Sequence, residues 1–434
     1  MITLVFNEDH TQLPAASENT IPVQLYGLPS AERADVSAIG SPALERIKRL
    51  GVEITTQSMD FLSIALAVTA ADTFVRREDS EDGWTRAIRI ALPLAEPDRW
   101  RNVSKRLASA FHFLSGDIWE FDFKEGGTLT PQPYRRRDRY QLIRLRGLDS
   151  VCLFSGGLDS AVGVIDLLKD GRKPLFVSHS YKGDKTKQDS VAEALDGRFA
   201  RFSINAHPIS ANSETDISMR TRSCNFIAFA AVAAGALQEI NRLERVELIV
   251  PENGFISINA PLTSRRIGSL STRTTHPYFI SSIQEIFRAV EISCEIINPY
   301  QFKTKGQMIS ECKDQSTLKA VVDQTVSCSH WKRSNQQCGY CVPCTIRRAS
   351  LLAGNINEVN EYQYPDVTRV MTEPDKRDDL MALCIAISKR DSRNIPLWVS
   401  ESGPLPADKI DEYSKVFTGG LEEVEAYFRL VGIL

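Results

Sequence analysis

The chain has 434 residues, 42% of them hydrophobic and 25% charged, with a formal net charge of -3. That length supports two or three domains with a substantial core, and the balance excludes disordered and fibrous classes. A slightly acidic total also carries no global polyanion-binding footprint, which leaves only a local basic surface for such a role.

Residues 1–9 lack a basic segment followed by a long apolar one, and no apolar run is expected to reach membrane-spanning length. The expected location is cytoplasmic, with no membrane partner. Nine cysteines, four of them clustered, suit a reducing compartment better than a disulfide framework. The other five, Cys152, Cys224, Cys294, Cys312 and Cys384, mostly lie in apolar or helical contexts where thiols are inert.

In chain order, residues 1–124 mix short strand-like runs with one or two helices. Residues 58–71 are apolar at helical spacing, whereas 84–94 alternate like a strand ending near Pro93. This predicts a separate N-terminal α+β domain. Residues 125–147 are polar, turn-rich and basic, as an exposed linker would be. Arg135, Arg136, Arg137 and Arg139 could touch phosphate there, but short charge runs are commonly just solvated.

From Ser150 onward, strands expected at 151–154, 174–178, 201–206, 246–250 and 294–297 alternate with helices expected at 160–169, 188–195, 222–243 and 278–290. Such alternation predicts an α/β domain over 148–350, a doubly wound parallel sheet with its ligand at the carboxyl ends of the strands. Residues 345–352 continue as a helix, and 351–434 form a mostly helical C-terminal extension with no internal repeat.

The turn after the first of these strands is Ser155-Gly156-Gly157-Leu158-Asp159-Ser160. Two glycines permit the close backbone approach that lets N–H groups converge on an anion at the positive end of a helix. Ser155 and Ser160 add hydroxyl donors, and Asp159 can help hold a divalent cation such as Mg2+. An ordinary capped strand-to-helix turn has similar composition. No Gly-Lys-Ser/Thr follows, so this is not a Walker A loop.

Further polar residues recur at predicted strand ends. His179 and Ser180 follow the second strand, where a nucleotide contact competes with simple loop packing. Arg222 opens the long apolar helix after Arg220 and could bind phosphate or carboxylate with bidentate geometry, or merely mark a charged helix entrance. Glu252 and Asn253 follow the fourth strand, placed to read a purine-like edge or orient magnesium, or to form a solvated turn. The polar, basic segment 259–277 is long for an α/β loop and supplies Arg273, Thr274 and His276 as candidate substrate or phosphate contacts, with a surface loop as the rival reading. After the last strand, Lys303 and Lys305 could neutralise charge developing on pyrophosphate, or snorkel from a helix start.

Cys328 is followed by the tight knuckle Cys338-Gly-Tyr-Cys341-Val-Pro-Cys344. Four thiolates at this spacing fit a closed tetrahedral Zn2+ site, although an iron–sulfur cluster has the same ligand chemistry. His330 is an outside candidate for the metal's surroundings.

The Ser155–Ser160 hexapeptide resembles the SGGxDS signature of the PP-loop ATP pyrophosphatase superfamily, whose members bind ATP and adenylate a substrate with release of pyrophosphate. Paired with the cysteine knuckle, it resembles QueC, the 7-cyano-7-deazaguanine synthase family, over about residues 148–350. The resemblance implies a PP-loop (adenine nucleotide alpha-hydrolase-like) fold and ATP contacts from Ser155, Gly156, Gly157, Asp159 and Ser160. It also implies structural zinc on Cys328, Cys338, Cys341 and Cys344, and a 7-deazaguanine acid as substrate. Two departures stand out: Ser180-Tyr-Lys-Gly-Asp-Lys replaces the family's Gly-Gln-Arg segment, and Arg220-Thr-Arg222-Ser-Cys-Asn225 replaces Gly-Arg-Asn. With about 150 residues preceding the core, the chain looks like the QueC-like proteins of bacterial anti-phage systems, QatC among them. Asp72–Arg76, Trp84–Arg86, Trp100 and Gly116–Trp119 resemble their amino-terminal region. This implies acyl transfer to an amine on a partner protein, with the N-terminal domain as its dock. Ammonia as nucleophile, a tRNA-modifying enzyme and a non-catalytic nucleotide-sensing scaffold are the competing readings.

Overall fold

The computed structural model describes residues 1–135, 142–180, 184–195, 199–212, 215–216, 220–263, 273–331 and 335–434. Two five-stranded sheets organise it. The first comprises β1 (Ile2–Asn7), β2 (Thr20–Leu25), β3 (Ser37–Ile39), β4 (Ala87–Pro93) and β5 (Ile118–Lys124), in the order β3-β2-β1-β4-β5. The second comprises β6 (Ser150–Leu153), β7 (Pro174–His179), β8 (Arg201–Ile204), β9 (Val246–Ile249) and β10 (Cys294–Ile297), in the order β10-β9-β6-β7-β8.

Every registered strand pair is parallel. The N-terminal unit is therefore α/β, which corrects the expected α+β class. The connections from β1 to β2 and from β2 to β3 contain, as regular structure, only the three-residue turn His10–Gln12, so no strand–helix alternation is visible there. In both sheets the first strand of the unit is central and the chain winds outward on both sides of it.

The principal helices are α1 (Thr56–Phe74), α2 (Ser104–Ser115), α3 (Leu158–Lys169), α4 (Asp184–Ala194), α5 (Arg222–Asn241), α6 (Pro277–Ala289), α7 (Lys305–Ser310), α8 (Val342–Ala353), α9 (Asp378–Lys389) and α10 (Ile410–Val431). Ser58 through Phe74 of α1 are all buried, as are most residues of α5. A helix apolar around its whole circumference must be covered on every side. Here α1 packs on the first sheet, α5 on the second, and the two helices on each other, so one apolar core runs from Leu4 and Ile88 to Val151 and Leu248. By length and composition α5 could also cross a membrane, contrary to the expectation that no run reaches that size, but it lies mostly buried in this core.

A second apolar cluster joins α8, α9 and α10 to the short helix Gly254–Ile258 after β9. The C-terminal helices are thus packed onto the carboxyl edge of the second sheet.

Candidate functional site

The Ser155–Ser160 turn leaves the central strand β6, whose neighbours β9 and β7 lead the chain in opposite directions. Ligand crevices of open α/β sheets form at this reversal. Gly156 has φ +80°, and a Cβ there would come within 3.2 Å of the Gln188 backbone nitrogen of α4. Only glycine fits. Gly157 caps α3 and donates its N–H to Ser155 Oγ at 3.2 Å, while Ser160 Oγ donates to the Gly157 carbonyl at 2.9 Å. Ser155 and Ser160 hydroxyls lie 3.3 Å apart, with Ser155 exposed. Hydroxyls and backbone donors are therefore gathered at the positive end of a twelve-residue helix.

One turn further, a Cβ on Gly163 would lie 2.6 Å from the Pro251 ring, so α3 can approach the segment leaving β9 only because this residue is glycine. That approach brings Asp159 to Glu252 and Asn253. Asp159 Oδ2 accepts from Asn253 Nδ2 at 2.6 Å and from the Asn253 N–H at 3.1 Å, and Oδ1 pairs with Lys305 Nζ at 2.7 Å. Lys305, at the start of α7, and Asp159 are both buried. Burial would raise the Asp159 carboxyl, but Lys305, Glu252 and Asn253 outweigh it and hold it below its usual range. Burial and then the Asp159 charge push Glu252 well above its usual value, because two carboxylates side by side in a buried place oppose each other's ionisation.

Asn253 belongs to this cluster, whereas the remaining expected contacts lie at other places in the fold. Both polar ends of the Asn253 side chain are engaged within the protein, since its Oδ1 caps the helix Gly254–Ile258 by accepting from Ile256 N–H at 3.0 Å. Its side chain thus links the Asp159 cluster to that short helix. His179 is wholly buried on β7, its ring against Phe226 and Phe229 and its Nε2 accepting from the Ala206 N–H at 3.3 Å. Ser180 donates its N–H to the Ile204 carbonyl at 2.8 Å. Arg222 stands half-buried in the first turn of α5.

Arg273 lies over the Phe113 ring, 4.9 Å from its centroid, and donates to the Phe113 carbonyl at 3.2 Å. His276 caps α6, packs on the same ring at 4.9 Å and is fully buried; burial, then Arg273, lowers it to about 3. Thr274 sits between them in the short turn Arg273–Thr275. Arg273 and His276 therefore pack on Phe113 of the N-terminal unit, and no described contact joins any of the three to Asp159. Arg136, Arg137 and Arg139, the Tyr181–Gly183 stretch and Arg265 and Arg266 lie outside the described residues.

Cys328, Cys338, Cys341 and Cys344 are all buried, with their four sulfurs within 4.8 Å of one another. The Cys338–Cys344 and Cys328–Cys341 sulfur separations, 3.9 and 4.0 Å, fit a tetrahedron with Zn–S bonds of about 2.3 Å, whose edges are about 3.8 Å. Backbone N–H groups of His330 and Cys338 point at Cys328 Sγ, and that of Cys341 at Cys338 Sγ, which favours the thiolate form that zinc needs. His330 thus borders the cluster without joining it. Gly339 has φ +89°, and a Cβ there would meet the Tyr364 carbonyl. The cluster also abuts the turn: Val326, two residues before Cys328, donates its N–H to the Gly156 carbonyl at 3.3 Å.

Three participants carry no sequence motif. They are Val326, Asn298, whose Nδ2 donates to the Glu252 carbonyl at 2.8 Å, and Glu423 on α10, which accepts from the Gly306 N–H at 3.1 Å. For Glu423 alone a signal existed, the pair Gly419-Gly420 inside an otherwise good helix.

No curated protein and no solved structure matches the chain. Residues 274–355 match the family model described as "Queuosine biosynthesis protein QueC", a stretch that contains Lys305 and all four clustered cysteines but not the Ser155–Ser160 turn. Over that stretch the match supports a QueC-like domain, and such a domain suggests an ATP-utilising enzyme.

Proposed function

We propose that the protein is a PP-loop enzyme that adenylates a 7-deazaguanine carboxylic acid and passes the acyl group to an amine on a partner protein, as part of a QatC-type anti-phage system. The observation that carries this reading is the convergence of the Ser155–Ser160 turn, Asp159 and Lys305 at the strand-order reversal. A substrate carboxylate oxygen attacks the α-phosphorus of ATP, and the bond to the bridging oxygen breaks to release pyrophosphate. The amine nitrogen then attacks the acyl carbon, AMP leaves, and the nitrogen loses a proton. Lys305 offsets charge on the departing pyrophosphate, and the N–H groups and hydroxyls of the turn hold the phosphates.

Asp159 and Glu252 suit magnesium: two carboxyls in contact need either a shared proton or a hard cation, and their oxygens are the ligands that cation takes. Zinc on the four cysteines would serve structure, since four thiolates leave no open position. Ammonia in place of the protein amine would give a primary amide after the same first step, and a second ATP-dependent dehydration would be needed to reach a nitrile.

The test is pyrophosphate release from zinc-loaded protein with ATP and magnesium, with and without 7-carboxy-7-deazaguanine, while the acid is followed by mass spectrometry. Acid-dependent release is expected, with product mass separating free amide, nitrile and protein conjugate. Asp159→Ala should lower release at least about a hundredfold, the effect of removing a transition-state electrostatic contact. Absence of release with partner proteins present, or undiminished release by the variant, would overturn the reading.

A further inference from the structure

Glu423 of the C-terminal helix α10 reaches the backbone that carries Lys305 into the candidate nucleotide site. Lys305 is the first residue of α7, and its neighbours on both sides are held by Glu423: the Thr304 hydroxyl donates to Glu423 Oε1 and the Gly306 N–H donates to Oε2 at 3.1 Å. Thr304 and Gln307 also form a reciprocal cap, with the Gln307 N–H on Thr304 Oγ1 at 3.0 Å and the Thr304 N–H on Gln307 Oε1 at 2.8 Å. The backbone that carries Lys305 toward Asp159 is thereby clamped from two directions.

The packing around this contact is built for close approach. A Cβ on Gly306 would collide with the Glu423 carboxylate and come within 2.9 Å of Ala353 Cβ. On α10 itself, a Cβ on Gly420 would overlap the Phe255 ring, and one on Gly419 would lie 3.2 Å from the Thr304 methyl. Two consecutive glycines inside a helix carry a conformational cost relative to alanine. That cost is offset by seating α10 against Thr304 and Phe255, the residues that follow β10 and β9. The Glu423 carboxyl, raised by burial against the pull of Thr304, Gly306 and Lys305, is also a second acidic group within electrostatic reach of Lys305 besides Asp159.

We infer that Glu423 is a positioning residue for Lys305: through Thr304 and Gly306 it fixes the ammonium in the phosphate-binding crevice, so that the C-terminal extension completes the nucleotide site. The inference rests on the nucleotide reading of that site. Glu423 lies outside residues 274–355 and belongs to this chain's own C-terminal helices.

A double-mutant cycle on the full-length, zinc-loaded protein tests it, reading both the Kd for ATP with magnesium and the melting temperature for wild type, Glu423→Ala, Lys305→Met and the double variant. Glu423→Ala should weaken ATP binding by about tenfold, the scale of one charge-assisted hydrogen bond, and by less than about twofold when Lys305 is already absent. Its effect on melting should be the same in both backgrounds. Equal loss of ATP affinity in both backgrounds, or no loss in either, would overturn the inference and leave Glu423 a structural contact. If Glu423→Ala does not fold, Glu423→Gln, which keeps the volume and one acceptor, runs the same cycle. Failure of the wild type to bind ATP would remove the nucleotide reading itself, and this inference with it.

Discussion

Replacing Asp117 with alanine should lower the unfolding free energy by about 3–5 kcal/mol, the cost of removing one partner from a buried ionic network. Asp117 is fully buried and accepts from Arg77 at 2.8 and 2.9 Å, from Arg86 side-chain nitrogens at 2.7 and 3.1 Å and from the Arg86 N–H at 3.1 Å. Arg86 has a side chain 1% exposed and also donates to Asp72 at 2.6 Å. Without Asp117 two guanidinium groups stay out of water with too little negative charge around them.

The same network joins the two sheets, because Asp72 of α1 accepts the Thr221 N–H at 2.8 Å and its hydroxyl at 3.0 Å, at the start of α5. Arg220, beside it, lies 4.2 Å from the centroid of Trp84 and donates to the Ser115 carbonyl. Urea unfolding monitored across pH checks the prediction. Burial raises the Asp117 carboxyl, but Arg86 and Arg77 outweigh it and hold the folded group below its usual 3.8. Its contribution is therefore complete above that value and fades as the pH falls through the lower folded value. The variant should show a shallower acid limb as well as a lower midpoint. A change under about 0.5 kcal/mol, the range of ordinary surface substitutions, would mean that the network does not hold the two units together.

The second large effect concerns the cysteine cluster. Cys341→Ser should lose bound zinc and a large part of the stability of residues 326–364, since metal binding to such sites supplies about 10–16 kcal/mol in small domains. Because Val326 donates to the Gly156 carbonyl, the loss should also loosen the Ser155–Ser160 turn and weaken ATP binding. Chelation of the wild type should reproduce both effects. Zinc stoichiometry by elemental analysis, melting temperature and ATP affinity provide the check. Retained zinc with unchanged melting would refute the assignment, and zinc loss with unchanged ATP affinity would refute the coupling to the turn.

The second sheet was legible because its chemistry is local. Apolar runs at 151–154, 174–178 and 294–297 lie beside helix-period segments, and each became a strand of β6, β7 or β10 with an end shifted by at most one residue. Glycine at 156 and the cysteine spacing were likewise readable, since each is a constraint of one short stretch of backbone. The N-terminal class was misjudged because its first two crossovers carry no helix, so parallel pairing leaves no periodic trace there.

His179, Arg273 and His276 show a different limit. Polar residues at loop positions look alike in sequence, whether they turn toward a ligand or toward Phe226, Phe229 and Phe113, because that choice depends on side chains far away in the chain. By itself the sequence determined the glycine turn at 155–160, the thiolate knuckle and the alternation of the second sheet, all properties of neighbouring residues. Only the tertiary structure decided that Asp159 meets Lys305 and Glu252, that Asp72 grips Thr221 and that Glu423 reaches Gly306. These contacts span from 93 to 149 positions, and the packing of whole helices, not local propensity, sets such distances.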